Sequence, residues 1–446
     1  MYFIAQNVHT SSGKCANFPI RSILLQRGLE IQVNHQANDL TGSFTKVSKS
    51  RRLWMAITLG ALSAFGPLSI DMYLPSLPIL AKDLHTSTSL AQFSLTACLL
   101  GLALGQLVAG SQSDIRGRRI PLLIGLFSYS AASLLCALSP SIWGLILLRF
   151  IQGFAGAAGM AISRAIVRDL YSGAEMIKFF SLLMMINGVG PILAPIIGAQ
   201  LLNVTSWRGV FMVLTLVGIV MLLTVFFTLP ETLPHESRSP SGLKNTLGTF
   251  NALVRDRVFM GYALPQGLVM AAMFAYISGS PFVLQNIFGA SPQMFSVFFA
   301  TNGLGIIIAS QITGRLASRI NGTKLFLGGL VIASISGISL LTMILMGTGL
   351  VAILIPLFLV VSSVGVVTTA GSALAMENYG RSAGSASALL GLFSFVIGAI
   401  VAPLVGVGGG NTAIPMGIVI AVCEVGSILS YTILRSRSSI GGAGLA

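Results

Sequence analysis

Long apolar stretches alternate with short polar intervals along almost the whole chain. A transmembrane helix needs about 20 apolar residues to cross the hydrocarbon core of a bilayer, and twelve stretches meet that requirement. Trp54, Trp143 and Trp207 each open one of them, and an indole ring prefers the membrane interface. The pattern predicts an all-α membrane protein with twelve transmembrane helices, over residues 54–80, 90–112, 120–139, 142–166, 178–202, 208–229, 258–280, 294–316, 324–346, 350–374, 384–406 and 413–434.

The polar intervals carry charge asymmetrically. Twelve crossings place both termini on one side of the membrane, and that side then receives every Lys and Arg except Lys82, Arg149 and Arg208. Basic residues accumulate in cytoplasmic loops. We therefore expect a multi-pass protein of the cytoplasmic (inner) membrane with both termini in the cytoplasm.

One longer polar interval divides the segments into two sets of six. Ala194-Pro195 in the fifth segment recurs as Ala402-Pro403 in the eleventh, at a corresponding place in the second set. Duplicated six-helix halves are a recurring plan of transporters. The predicted organisation is a polar cytoplasmic tail over 1–53 (disordered, or the product of a misplaced start codon), a six-helix bundle over 54–229, a cytoplasmic linker loop over 230–257, a second six-helix bundle over 258–434 and a tail over 435–446.

The composition excludes several classes of protein. Hydrophobic residues make up 54% of the 446 positions and charged residues 9%, with a mean hydropathy of +0.88, whereas soluble proteins carry about 25% charged residues. The formal charge of +14 would indicate nucleic-acid binding in a soluble protein, but here it encodes topology. No HExxH zinc pattern and no GxxxxGK[ST] phosphate loop occurs. We therefore expect no metal, no cofactor and no enzymatic activity.

Three ionisable side chains stand out inside the predicted segments: Asp71, Arg149 and Glu424. A carboxylate within the membrane is costly, so Asp71 is a candidate for reversible protonation; the alternative is an Asp that caps a helix end at the interface. Arg149 keeps its proton and would act electrostatically, unless it reaches the outer interface. Glu424 is either a second proton site or a neutral packed acid.

A basic loop follows the second segment and reads GSQSDIRGRR from Gly110. Asp114 and Gly117 suit a tight turn between helices, and the arginines alone indicate only orientation. The loop resembles the cytoplasmic-loop signature of the major facilitator superfamily, although Ile115 replaces the usual Arg. The matching residues are Gly110, Asp114, Gly117, Arg118 and Arg119.

Two helical signatures extend this resemblance. LILLRFIQG from Leu145 resembles the family's fourth-helix signature, which is associated with proton coupling. The matching residues are Arg149, Gln152 and Gly153. GPILAPIIGA resembles the fifth-helix signature of the family's antiporters. Its matching residues are Gly190, Pro191, Pro195 and Gly198, while Ala199 replaces the common final Gly.

Further segments are similar to one group within that superfamily, the Bcr/CflA drug:proton antiporters. They are LSIDMYLPSLP around Asp71, RAIVRDLY from Arg164, LPETL from Leu229 and GSASALLGLFSFVIGAIVAPL from Gly384. The resemblance covers about 54–434 and implies proton-coupled export of bicyclomycin- or chloramphenicol-like molecules. It implies that Asp71 is the acid of the drug and proton pathway, that Arg149 is its coupling partner and that the basic loop is a cytoplasmic gate. It also implies a monomer whose partners are protons, small amphipathic drugs and lipid. A proton symporter that imports a small metabolite remains the alternative.

Overall fold

Helices make up nearly all of the described chain. The computed structural model describes residues 49–171, 173–238, 242–377, 379 and 383–442, and no strand occurs in these ranges. The helices are α1 (Lys49–Ser63), α2 (Phe65–Asp71), α3 (Leu77–Asp83), α4 (Thr88–Arg116), α5 (Arg119–Leu138), α6 (Ile142–Leu170), α7 (Gly173–Leu201), α8 (Trp207–Thr228), α9 (Gly242–Arg255), α10 (Arg257–Phe282), α11 (Pro292–Leu316), α12 (Gly322–Leu345), α13 (Leu350–Met376), α14 (Ala383–Val401) and α15 (Ile414–Gly442).

Apolar helices account for every predicted transmembrane segment. Within the described ranges, ten helices are long and apolar enough to cross a membrane. The bent pair Trp54–Ser63 and Phe65–Asp83 forms an eleventh span, and α7 covers the remaining predicted segment with an apolar part over Gly188–Leu201. The prediction of an all-α, multi-pass membrane protein is thereby confirmed.

Prolines break the first span near its middle. Pro67 lacks the N–H that would bond to the Ser63 carbonyl, and the helix bends by 41° at this point. Pro75 likewise cannot bond to the carbonyl of Asp71, where α2 ends. A short 3₁₀ turn, Leu74–Ser76, then leads into α3. Asp71 therefore lies at the end of a broken helix inside the protein.

Small residues bring the helices of the N-terminal half (54–229) into backbone contact. A Cβ at Gly153 of α6 would collide with the carbonyl of Cys98 on α4, and one at Gly101 would collide with the carbonyl of Phe150. Glycine at both positions lets the two backbones touch. This close packing fixes the position of Arg149, which lies on α6 one turn before Gly153.

Two segments differ from the sequence prediction. The linker predicted as a loop over 230–257 contains α9, which buries Phe250 and Leu253 among side chains of α10 and α14. Its apolar residues recur every three or four positions, which is the helical period. The predicted tail over 435–446 begins as a continuation of α15 as far as Gly442. Most of the predicted N-terminal tail, residues 1–48, and residues 443–446 lie outside the described residues.

Candidate functional site

Asp71 is buried at the broken end of α2. Only 4% of the residue is exposed, and the described part of the chain offers its carboxylate no hydrogen-bond or ion-pair partner. It lies close enough to Tyr276 of α10 for an electrostatic interaction across the two halves. Because the residue is buried within a span, it does not cap a helix at the interface.

Arg149 occupies a fully buried site on α6. Its Nη1 donates to Gln152 Oε1 at 2.6 Å, and Gln152 Nε2 donates to Ser133 Oγ at 2.7 Å. The guanidinium lies 4.8 Å from the ring centre of Tyr73 and 5.5 Å from that of Phe211. Aromatic faces attract a cation by roughly 1–2 kcal/mol each when water is excluded, so these rings partly offset its burial.

No ion pair joins Arg149 to Asp71 in the structure as described. Nε and Nη2 of Arg149 lack hydrogen-bond partners among the described residues. The connection between the two runs through the chain, because Tyr73, which stacks on Arg149, follows Asp71 by two positions. Tyr73 is held by a 2.9 Å hydrogen bond between its hydroxyl and Ser94 Oγ.

The fifth-helix motif packs on the segment that carries Asp71. Gly198 lies against the carbonyl of Met72, where any Cβ would collide. A Cβ at Gly190 would lie 3.0 Å from Pro67. Pro191 and Pro195 both lie inside α7, and the Pro195 carbonyl accepts a 3.0 Å hydrogen bond from Ser296 of α11. The motif therefore holds the break at Asp71 from one side.

The basic loop between α4 and α5 is organised around Arg118, which is 2% exposed. Its Nη1 donates to Asp114 Oδ1 at 2.5 Å and to Ser113 Oγ at 2.9 Å, and its Nε donates to Asp169 Oδ2 at 2.7 Å. Arg119 donates to the carbonyl of Phe226 at 2.7 Å. Nothing lies within 4 Å of a Cβ built at Gly110, so space does not demand glycine there.

Glu231 completes this loop, although the sequence motif did not single it out as a site residue. Its carboxylate accepts from the backbone N–H of Arg118 at 2.8 Å and of Arg119 at 3.2 Å, at the start of α5. Partial burial opposes its ionisation, but these bonds and those from Leu233 and Thr232 outweigh burial and lower the pKa of Glu231. Gly117, at φ +92°, lies against the same carboxylate and leaves no room for a side chain.

Glu424 lies apart from these groups, between α15 and α12. It is fully buried, and both carboxyl oxygens lack hydrogen-bond partners in the described ranges. Its Cβ lies 3.2 Å from a Cβ built at Gly337. Ser334 donates to the Glu424 backbone carbonyl at 2.9 Å. Among the described residues, no group of three or more His, Cys, Asp and Glu is placed to hold a metal.

The two ends of the molecule differ in how the predicted halves meet. We call the end that carries Arg116, Arg118, Arg119 and Arg168 the basic end. There a cavity of about 550 Å³ is lined by α4, α6 and α14. Its wall includes Gln106, Asp114, Arg118, Arg164, Leu392 and Phe395.

At the opposite end, uncharged hydrogen bonds join the halves. Three side-chain amides, which we call the cross-half amides, donate to backbone carbonyls of the other half. The bonds run from Gln92 to Ser278 at 3.1 Å, from Gln285 to Pro75 at 3.3 Å and from Gln293 to Ala199 at 3.2 Å. A second cavity, of about 510 Å³, also lies between the halves at this end, and its wall includes Pro78, Lys82, Phe282 and Asn286.

Comparisons with known proteins agree with this architecture. Residues 48–403 match the model of the Major Facilitator Superfamily. The uncharacterized MFS-type transporter YdgK of Bacillus subtilis (strain 168) is 47% identical over 389 residues, which cover 86% of this chain and 96% of that protein. A bicyclomycin resistance protein homolog of Haemophilus influenzae is 33% identical over 382 residues, with the same coverage of 86% and 96%.

Solved structures share the fold. The crystal structure of a bacterial homolog of the human lysosomal transporter Spinster matches with a TM-score of 0.68 at 16% identity, over 87% of this chain and 96% of that one. The sequence relatives are named as transporters or by drug resistance, so the resemblance inferred from the motifs and the prediction of a non-enzymatic protein are confirmed.

Proposed function

The chain belongs to the Major Facilitator Superfamily, and we propose that it exports small amphipathic drugs across the cytoplasmic membrane in exchange for protons. The bicyclomycin resistance protein homolog supports a drug-like cargo. Protons, drug and bilayer are the partners in this proposal, and the working unit is a monomer. The predicted halves 54–229 and 258–434 move relative to each other, joined by the linker that contains α9.

The burial of Asp71 carries the proposal. A carboxylate that is 4% exposed and has no partner among the described residues is costly to ionise. Binding a proton removes that cost, and so does a ligand that donates a hydrogen bond to the ionised group. A proton and a drug can therefore alternate at this carboxyl group.

The remaining site residues take supporting roles in this proposal. Arg149 places a positive charge near the broken helix, because its guanidinium stacks on Tyr73 and is hydrogen-bonded to Gln152. The fifth-helix motif supports the break at Asp71, since Gly198 lies against Met72. The loop around Arg118 ties the ends of α4, α5 and α6 together and acts as a gate. Glu424 contributes a buried acid outside the path.

The distribution of basic residues supports the orientation. Positive charge accumulates on the cytoplasmic side of membrane proteins, so the basic end and both termini face the cytoplasm. The cavity of about 550 Å³ then opens inward. A drug enters this cavity from the cytoplasm, while the cross-half amides join the halves at the outer end.

The transport cycle follows from these parts. Drug entry from the cytoplasm is linked to loss of the Asp71 proton, and the halves then rock to open outward. A proton from outside neutralises Asp71, releases the drug and returns the carrier. Each proton that moves inward through 100 mV supplies about 2.3 kcal/mol, so no ATP hydrolysis is needed on this chain.

Everted membrane vesicles test this function. With an imposed inward-acid gradient, vesicles that contain the protein should accumulate chloramphenicol faster than vesicles without it, and an uncoupler should abolish the difference. A panel of bicyclomycin-like and other amphipathic antibiotics extends the assay. If the gradient drives none of these compounds into the vesicles, drug export is contradicted and the importer alternative gains support.

A further inference from the structure

Two uncharged polar residues of the C-terminal half are buried side by side, and one of them, Tyr276, lies near Asp71. Tyr276 of α10 is 1% exposed and Asn302 of α11 is 3% exposed. Tyr276 interacts electrostatically with Asp71, so the phenol and the carboxylate occupy the same region. None of the sequence motifs includes either residue.

The hydrogen bond between these two residues leaves the O–H proton of Tyr276 available. Asn302 Nδ2 donates to the Tyr276 hydroxyl at 2.9 Å. A phenol that accepts this bond still has its own O–H proton to donate. The Ser280 hydroxyl lies next to the Tyr276 hydroxyl and interacts with it weakly, and it makes no hydrogen bond of normal geometry in the described ranges. The Asp71 carboxylate, on the other side of the interface, lacks a donor.

The same pair lies on an aromatic surface. The Tyr276 ring stacks on Phe299 with centroids 5.5 Å apart and planes 17° apart, and Phe299 lies 5.8 Å from Phe295. Asn302 follows Phe299 by three positions and therefore lies on the same face of α11. This wall offers a flat apolar face and uncharged hydrogen-bonding groups, with no charged side chain of its own among those named.

One further aromatic side chain of α10 lies beside the cavity at the basic end. Phe395 of α14 lines that cavity, and its ring lies 5.8 Å from Phe274 of α10. Phe274 precedes Tyr276 by two positions. Side chains two positions apart lie on different faces of a helix, so Phe274 faces the cavity side of α10 and Tyr276 lies on another face.

We propose that Tyr276 and Asn302 form the C-terminal half of the substrate site and bind uncharged amphipathic molecules that carry both a hydroxyl or amide donor and an acceptor. This assignment rests on the proposed drug export. The bound molecule bridges the halves: its donor binds the ionised Asp71 carboxylate, and its acceptor receives the Tyr276 proton, while Asn302 orients the phenol. When Asp71 takes up a proton it is a weaker acceptor, the bridge is lost, and the molecule leaves.

Conservative substitutions test this assignment in the vesicle assay. Tyr276→Phe removes the hydroxyl and keeps the ring stacked on Phe299. Asn302→Leu removes the amide that orients the Tyr276 hydroxyl. Both should raise the KM for chloramphenicol, which carries hydroxyl and amide groups, by about tenfold with Vmax nearly unchanged. Tyr262→Phe is the matched control, because Tyr262 lies on the same helix but packs against Phe326 and Tyr431.

A second ligand separates binding from structural damage. Tetraphenylphosphonium has neither donor nor acceptor, so its inhibition constant against chloramphenicol uptake should be the same in wild type and in Tyr276→Phe. An unchanged KM for chloramphenicol in both variants, or an equal loss of affinity for tetraphenylphosphonium, would overturn the assignment while leaving drug export intact. Absence of gradient-driven uptake by the wild type would instead overturn the proposed function, and this assignment with it.

Discussion

At the scale of single residues, the protein keeps charged side chains buried with few polar partners. Arg149 is surrounded by the rings of Tyr73 and Phe211 and the amide of Gln152. A guanidinium suits this site because it is planar, stacks on rings and is more weakly hydrated than an ammonium group. Shape therefore matters here as well as charge.

Replacing Arg149 by Lys keeps the charge and removes the planar group. We expect Arg149→Lys to reduce drug uptake into everted vesicles at least about tenfold, because a compact ammonium group stacks less well and is more costly to bury. Arg208→Lys is the matched control, since Arg208 pairs with Asp83 at the exposed end at 2.6 Å. Equal uptake in the two variants would show that only the charge of Arg149 matters.

The sequence revealed the charged residues of the site but not the uncharged side chains near them. The motifs identified Asp71 and Arg149, because charged residues are rare inside apolar segments. Tyr276 and Asn302 carry no such signal, since uncharged polar residues occur throughout membrane helices. The proximity of Tyr276 to Asp71 joins positions some 200 apart in the chain, which no local pattern encodes.

At the scale of helices, Glu231 binds the start of α5, and Arg118 ties that start to the ends of α4 and α6. An ionised carboxylate at the start of a helix satisfies free N–H groups and interacts favourably with the helix dipole. Here Glu231 comes from the segment that follows α8, so it also attaches α8 to the loop. The sequence showed an ordinary basic turn, because the acceptor lies more than 100 positions away.

The effect of Glu231 on stability should depend on pH. The folded protein holds the pKa of Glu231 below its value in the unfolded chain. The ionised carboxylate therefore contributes fully to the free energy of unfolding when the pH is above the unfolded-state pKa. This contribution is lost as the pH falls through the lower pKa of the folded state. Glu231→Gln should lower the thermal midpoint of the purified protein at pH 7 by about 2 °C, a small effect since solvent screens this exposed group.

At low pH the difference between Glu231→Gln and wild type should shrink, because the wild-type carboxyl group is then protonated as well. Thermal unfolding of both proteins across pH 4–7 makes the comparison, over the part of that range where the protein folds. Glu236→Gln serves as the control, since Glu236 lies exposed on the same connection. A difference that grows as the pH falls would contradict the assigned role.

At the scale of the whole molecule, uncharged hydrogen bonds join the two halves at the end opposite the basic end. Each cross-half amide donates to a backbone carbonyl, and such bonds contribute about 1 kcal/mol each. Bonds of this strength hold the halves together and can still be broken in every cycle. Hydropathy and charge predicted the twelve segments, but not this arrangement or α9, because both depend on packing between distant segments.

Removing the cross-half amides should favour the outward-open state. We expect Gln92→Leu, Gln285→Leu and Gln293→Leu, combined, to raise the labelling rate of a Ser280→Cys reporter from outside the cell by about tenfold. Ser280 is fully buried, and the four native cysteines are replaced in this background. Gln266→Leu is the control, since this buried amide accepts from Ser372 within one half. Equal labelling in all variants would contradict the prediction.

Exchange of a drug for the Asp71 proton is the central claim, and drug-induced proton release tests it most directly. Chloramphenicol added to the purified wild-type protein in weakly buffered detergent solution should release protons, detected by a pH indicator. Asp71→Asn should bind the drug without releasing protons, whereas Glu424→Gln, the matched acid-to-amide change at a second buried site, should behave as wild type. Undiminished proton release from Asp71→Asn would contradict the account.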